Sequence, residues 1–472
     1  MGLQPADEAF ITALAGQLPE QTLRPAEPRY LEEPRGHLHG KAGCVALPRN
    51  THEVSIIMAA ANAARVAVVP FGGGTGLVGG QIYSDGPTPL VLSLERMNRV
   101  LAVDRRENII IAQAGAILES LHNAAEGQNR LFPLAIASSG TAQIGGNLAT
   151  NAGGVNVLRY GNARDLCLGL EVVLPDGRIW NGLSRLRKDN TGYDLRNLMI
   201  GSEGTLGVIT AASLKLFPRP SSYATGLFAV PTPDAAIRLL GLVREHAGEA
   251  VSAFELLHRN GYAFLRDTMP DIRQPFDDIP EWSVLLDLGL SAGINGQDLL
   301  EQVFAEGFEA GMVSNGLLAA SLSQRDMLWS LRETIPLANR AIGAIASHDI
   351  SLPIGSIPAF IEATSAALAE LADVRVNCFG HLGDGNLHFN VFPAEGRQKS
   401  DYLPDRAKIS SCVHELVSRM EGSISAEHGI GRLKTGELGK YGNPVKLALM
   451  QAIKAQFDPN GIMNPGAILA LP

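Results

Sequence analysis

Val66-Ala-Val-Val-Pro70, running into Phe71-Gly-Gly-Gly-Thr-Gly-Leu-Val-Gly-Gly80, is the stretch whose reading decides the fold. The short apolar run reads as a buried strand and the glycines as its exit. Gly74, Gly76 and Gly79 satisfy the spacing GxGxxG, so a dinucleotide-binding turn has to be weighed. That fingerprint needs a helix to open inside the motif. Here Gln81 to Pro89 carries Gly, Asp, Ser and two prolines, then returns to strand-like Leu90-Val-Leu92. What survives is the physical core of the signal: a Gly-rich loop after a strand, whose bare N–H groups can approach a pyrophosphate.

On either side the pattern is mixed. Thr51-His-Glu53 opens an Ala-rich helical stretch through Arg65, with Thr51 as the cap and Glu53 at the positive helix start. Ile109–Ala112 and Ile117–Ala125 read as a strand and a helix. Ser138 to Asn147, continuing through Thr150–Gly154, is rich in donors and poor in charge, a lining suited to a large, polar but mostly neutral cofactor. Leu170–Leu174, the turn Pro175-Asp-Gly177 and Arg178-Ile-Trp180 form an expected hairpin. Gly201–Thr210 is a further glycine turn feeding a strand.

Chemistry concentrates near the C-terminal end, in Cys378-Phe-Gly-His381-Leu-Gly-Asp-Gly-Asn-Leu-His388-Phe-Asn390 and Ser425-Ala-Glu427-His428-Gly429. Three N/O ligands with one open position make a catalytic rather than a structural metal site. The candidate ligands are His381, His388 and Glu427, leaving His428 as a base. A metal-dependent hydrolase could use the same set, but it leaves the three glycine regions unexplained. A ligand-binding protein without catalysis is the third reading.

Composition narrows the classes. The chain has 472 residues, 46% of them hydrophobic and 18% charged, which suits a soluble globular protein of two or three domains. A net charge of −9 offers no basic footprint for nucleic acid. Residues 1–28 lack the basic start and apolar run of a signal peptide, and no run of about 18 apolar residues suggests a spanning helix. The four widely spaced cysteines read as reduced thiols of a cytoplasmic protein, Cys378 as a buried thiol rather than a ligand.

Pro70–Gly76, Gly145–Gly154, Gly201–Gly207 and Gly380–His388 together resemble the FAD-linked 2-hydroxyacid dehydrogenases of the vanillyl-alcohol oxidase/p-cresol methylhydroxylase superfamily. Within it the look is nearest to D-2-hydroxyglutarate and D-lactate dehydrogenases and the glycolate oxidase flavin subunit. Phe457-Asp-Pro-Asn-Gly-Ile-Met-Asn464-Pro-Gly466 is also like the family. The resemblance implies an α+β fold: an N-terminal extension (1–36), a two-part FAD-binding domain (37–218), an antiparallel-sheet cap domain for substrate (219–425), and a C-terminal segment (426–472) returning to the FAD domain.

Carried over residue by residue, the resemblance puts FAD contacts on Gly72, Gly73, Gly74, Thr75, Gly76, Gly79 and Gly80, and on Gly140, Thr141, Gly146, Asn147, Thr150, Gly153, Gly154, Ile209 and Asn464. Gly72–Gly80 holds no His or Cys that could tether the flavin, so FAD should be non-covalent. It makes His381, His388 and Glu427 the metal ligands, His428 the base in contact with substrate, and Asn390 and Arg332 substrate-binding residues, Arg332 facing a second carboxylate. Zinc suits His/His/carboxylate best, with manganese, iron and cobalt also fitting. The implied partners are a small 2-hydroxyacid and an electron acceptor such as an electron-transfer flavoprotein or a quinone, with a homodimer as the candidate assembly.

The implied chemistry is coherent. A hydroxyl proton is far too weakly acidic for imidazole until a metal lowers its pKa, after which a base of pKa near 6.5 is adequate while flavin takes the hydride. Two positions depart from the hydroxyglutarate-type pattern. Ser347 stands where those relatives have Lys, and Pro336 where they have Thr. The expected consequence is a smaller or more apolar D-2-hydroxyacid used as well as, or better than, the dicarboxylate.

Overall fold

The computed structural model describes residues 2–36 and 38–471; the expected domain boundary at His37 lies outside them. The chain divides into two compact units. The first holds the residues up to Gly153, Gly161–Arg219 and the residues from Glu427 onward; the second holds Gly154–Tyr160 and Pro220–Ala426.

The first unit is organised around the glycine loop. The helix Thr51–Ala64 buries Val54, Ile57, Met58 and Ala61, an i, i+3, i+4, i+7 stripe. Its cap is Asn50, whose side chain accepts from the Glu53 amide, and not Thr51 as the sequence suggests. Thr51 instead donates to Glu171 at 2.5 Å. The strand that follows begins at Val68, two residues later than expected, because the Val66 amide is still spent on the Ala61 carbonyl at 2.9 Å. Val68–Phe71 lies parallel to Leu90–Ser93, which lies parallel to Cys44–Ala46. No helix intervenes between residues 72 and 89, so the Rossmann reading fails where its context predicted. The chain's end joins this layer: the Val68 amide donates to Ile462 and the Asn464 amide to Val68.

A five-stranded antiparallel sheet completes the unit, in the order Val100–Asp104, Ile109–Gln113, Val208–Lys215, Cys167–Val173, Ile179–Gly182. Its last two strands are the expected hairpin. Gly177 turns it with φ +88°, and a Cβ there would meet the Ser55 carbonyl oxygen at 2.8 Å, so the turn packs directly on the helix Thr51–Ala64. The donor-rich stretch becomes a short helix, Ile144–Thr150, ended by Asn151 at φ 53°.

The second unit is built on a seven-stranded sheet in the order Asn315–Leu318, Ser222–Val230, Trp282–Leu290, Val251–His258, Val374–His381, Asn386–Pro393, Ala346–Ser351. Every adjacent pair in it is antiparallel. Against one face Tyr262, Phe264 and Leu265 of the helix Arg259–Thr268, and Leu328, Leu331 and Ile335 of the helix Leu322–Ile342, form a core with Leu227, Leu285, Phe379 and Phe392. The helix Ile357–Leu371 supplies Phe360, which packs edge-on against Phe389. Ile354–Leu371 is 18 residues long and apolar on average, although Gly, Ser, Thr and Glu interrupt it. Ile357, Phe360, Ile361, Thr364 and Leu368 are buried, which marks a helix packed by one face on the sheet.

Candidate functional site

In the first unit the glycine loops meet backbone to backbone. A Cβ on Gly73 would lie 2.1 Å from the Thr141 carbonyl oxygen, and one on Gly72 would lie 3.6 Å from the Cα of Gly146. A side chain at Gly73 would hold the loops apart, whereas at Gly72 the approach is ordinary van der Waals contact. A cleft of about 850 Å³ opens here, lined by Gly72, Gly73, Gly140 and Thr141 together with Arg29, Arg49, Arg96 and Arg99. Gln81 donates to the Gly76 carbonyl at 2.9 Å, and Thr150 Oγ1 to Gly146 at 3.1 Å. Asn147 is 5% exposed and its Oδ1 is buried without a partner among the described residues. A buried acceptor left over beside tightly apposed glycines fits a polar cofactor that supplies the missing donor.

Other expected flavin contacts have structural duties. Asn464 Nδ2 donates to the carbonyls of Gly80 (3.0 Å) and Glu203 (2.8 Å), so it ties the first glycine loop to the third. Ile209 is buried in the strand Val208–Lys215, opposite Val172. Two residues escaped the sequence reading. Arg432 donates to Gly79, Gly80, Asn464 and Pro465. Burial lowers its pKa to about 10, with Tyr83 and Glu203 opposing the shift. Glu203 accepts from the amides of Ile430 and Gly431 at 2.8 and 2.7 Å. Burial pushes its carboxyl up, and those amides pull it back.

In the second unit, strand register gathers the chemistry on one sheet face. Ser347 pairs with Asn390 and Asn390 with Asn377; Asp349 pairs with His388 and His388 with Phe379; His381 pairs with Glu255. Because alternate residues of a strand face opposite ways, these side chains share one face. His348 and Cys378 face the other. The His348 Nδ1 there meets His414 Nε2 at 3.1 Å. Cys378 is fully buried, and burial raises its thiol pKa, which disfavours the reactive thiolate.

The face is dense with interactions. The His381 and His388 rings are 5.6 Å apart, and ligand-type nitrogens of the two fall within 4.8 Å of one another. His388 Nδ1 lies 3.9 Å from Asp349 Oδ1, and Asn386 Nδ2 donates to the same oxygen at 2.9 Å. The Arg332 guanidinium sits 4.8 Å over the Phe379 ring, and its Nε donates to Glu255 Oε2 at 2.7 Å. Glu255 Oε1 meets His381 Nδ1 at 2.5 Å. Burial would raise the Glu255 carboxyl, but His381 and Arg332 outweigh it and hold the pKa at about 2. Glu255 was not singled out from sequence, although a lone acid in the apolar run Val251–Leu257 was a usable signal. Asn390 is buried beside His388 on this face. Glu427 and His428 follow Ala426, the end of this unit, whose amide donates to the Asp349 carbonyl at 3.2 Å.

Residues 42–182 match the family described as FAD binding domain, and residues 219–468 match FAD linked oxidases, C-terminal domain. Over 430 residues the chain is 37% identical to a mitochondrial D-2-hydroxyglutarate dehydrogenase of Arabidopsis thaliana, covering 91% of this chain and 75% of that one. A D-2-hydroxyglutarate dehydrogenase of Xanthomonas citri pv. viticola is 38% identical over 426 residues, 90% of this chain and 88% of the relative. Among solved structures, p-cresol methylhydroxylase with substrate bound superposes with a TM-score of 0.75 at 14% identity, covering 99% of both chains. 4-Ethylphenol oxidase from Gulosibacter chungangensis gives a TM-score of 0.73 at 17% identity, covering 100% of this chain and 99% of that one. These two establish the fold alone. The chain belongs to the family of FAD-linked oxidases and has the α+β, antiparallel-sheet-bearing fold of p-cresol methylhydroxylase.

Proposed function

We propose that the protein is an FAD-linked D-2-hydroxyacid dehydrogenase, oxidising a D-2-hydroxyacid to the 2-oxoacid with help from a divalent metal. The dehydrogenase reading rests on relatives named D-2-hydroxyglutarate dehydrogenase that share 37–38% identity over nine-tenths of the chain. The observation that carries the metal reading is the single sheet face bearing His381, His388 and Asn390, over which Arg332 of the helix Leu322–Ile342 packs through Phe379. Together with Glu427, the two histidines have the composition of a three-ligand divalent site, and zinc is the metal that suits it best.

When bound, FAD supplies the hydride acceptor and the metal supplies the Lewis acidity that makes a 2-hydroxyl group titratable near neutral pH. The residues supply position and proton transfer. Glu255 Oε1 lies against His381 Nδ1, so Nε2 would be the nitrogen that holds the metal. His428 is the base that removes the hydroxyl proton. Asn390 donates to the substrate head, and Arg332 meets the distal end, its guanidinium braced by Phe379. The flavin is non-covalent, since Gly72–Gly80 offers no tethering side chain.

For the substrate, the relatives' names favour D-2-hydroxyglutarate. Ser347 and Pro336 have uncharged side chains, so neither supplies a cation to a distal carboxylate. That supports acceptance of a smaller D-2-hydroxyacid, such as D-lactate, as well as or better than the dicarboxylate. The electron acceptor fits an electron-transfer flavoprotein or a quinone. An anaerobic screen of 2-hydroxyacid enantiomers for bleaching of the flavin tests the reading; a yellow protein that no D-2-hydroxyacid reduces would refute it.

A further inference from the structure

We propose that Glu255 is a positioning residue that orients both ends of the substrate site at once, the metal-ligating His381 through one carboxylate oxygen and the distal-end Arg332 through the other. The inference rests on the dehydrogenase reading above and extends it to a residue within the sheet. Glu255 lies in the strand Val251–His258 with its side chain 0% exposed, and its partners Arg332 and His381 are 7% and 8% exposed. Its two oxygens divide between them: Oε2 takes the Arg332 Nε–H at 2.7 Å and Oε1 meets His381 Nδ1 at 2.5 Å.

A carboxylate buried only to neutralise an arginine would gain most from a bidentate fork on the guanidinium. Here it touches that group only at Nε and spends its other oxygen on an imidazole. The consequence for His381 is a fixed tautomer. The consequence for Arg332 is a fixed plane, because the Nε bond and the Phe379 ring 4.8 Å below together define how the Nη edge is presented. Phe379 continues the line, its ring 5.0 Å from that of His388. One carboxylate thus sets a metal-ligand imidazole and a substrate guanidinium in a single rigid unit.

Glu255→Gln tests this, because the amide keeps the shape but can accept on only one side and must present N–H to the other. In the flavin-loaded enzyme, zinc affinity measured by chelator competition should fall about 10- to 100-fold, the usual effect of losing a ligand's outer partner. Flavin content should be unchanged. KM for D-2-hydroxyglutarate should rise more than KM for D-lactate, which has no distal carboxylate to meet Arg332. Zinc affinity and the KM ratio both within twofold of wild type would overturn the proposal and leave Glu255 a purely structural charge. If the single variant does not fold because Arg332 is left buried without its counter-charge, Glu255→Gln/Arg332→Met removes both charges and must still show weakened zinc binding. A wild-type enzyme that turns over without metal would refute the metal reading instead, and the KM ratio would then decide the Arg332 half alone.

Discussion

Arg432 and Asn464 are joined by a 2.6 Å hydrogen bond from Nη2 to Oδ1, and both donate to the carbonyl of Gly80. The far end of the Gly72–Gly80 loop is thereby tied to the C-terminal segment. Arg432→Met removes charge-assisted bonds worth about 1.5–3 kcal/mol each while keeping much of the stem's packing. FAD should be retained about 10- to 100-fold less tightly, as read by flavin fluorescence on dilution. Unchanged retention would mean that the loop holds its shape alone.

The base assignment has its own measurement. His428→Ala should slow flavin reduction by about two to four orders of magnitude with zinc content retained. Loss of zinc together with activity would make His428 a ligand.

Much of this was legible in the sequence, for reasons that differ by residue. The glycine loop could be read because no helix-forming residues follow it, and His381 and His388 because their glycine-bounded spacing survives into paired strands. Their common face followed only from register, which sets Asp349 opposite His388 and Glu255 opposite His381 across long sequence separations. Such pairing is invisible to local pattern. The helix cap was misassigned by one residue because Asn50 and Thr51 are both competent caps, and tertiary contact with Glu171 decided between them. The separate membership of Gly154–Tyr160 in the second unit had no sequence signal.

Acid sensitivity should include a contribution from His122. Burial pushes this imidazole's pKa down, and it bonds to the Leu134 carbonyl at 2.8 Å. A lowered folded pKa means that the unfolded chain takes up the proton first. The contribution is therefore complete above the ordinary value of about 6.5 and is lost as pH falls below it. His122→Gln keeps a donor for Leu134 and removes the titration. The urea midpoint of wild type should drop more between pH 7.5 and 5.5 than that of the variant; parallel drops would assign the slope to other groups.

Substrate breadth is testable at Ser347, which lies opposite Asn390 in register. Ser347→Lys should raise kcat/KM for D-2-hydroxyglutarate relative to D-lactate by about ten- to a hundredfold, equivalent to about 1.4–2.8 kcal/mol in the transition state. A wild-type enzyme already favouring the dicarboxylate by about a thousandfold, roughly 4 kcal/mol, would contradict the expectation of a smaller substrate.

The most direct test of the central claim is anaerobic stopped-flow reduction of the bound flavin by D-2-hydroxyglutarate and D-lactate, before and after metal removal. The account predicts bleaching by at least one D-enantiomer, no bleaching in the metal-free protein or in His381→Ala, His388→Ala or Glu427→Ala, flavin bound throughout, and recovery of the metal-free wild type on adding zinc. Flavin reduction at the wild-type rate by rigorously metal-free protein would contradict it.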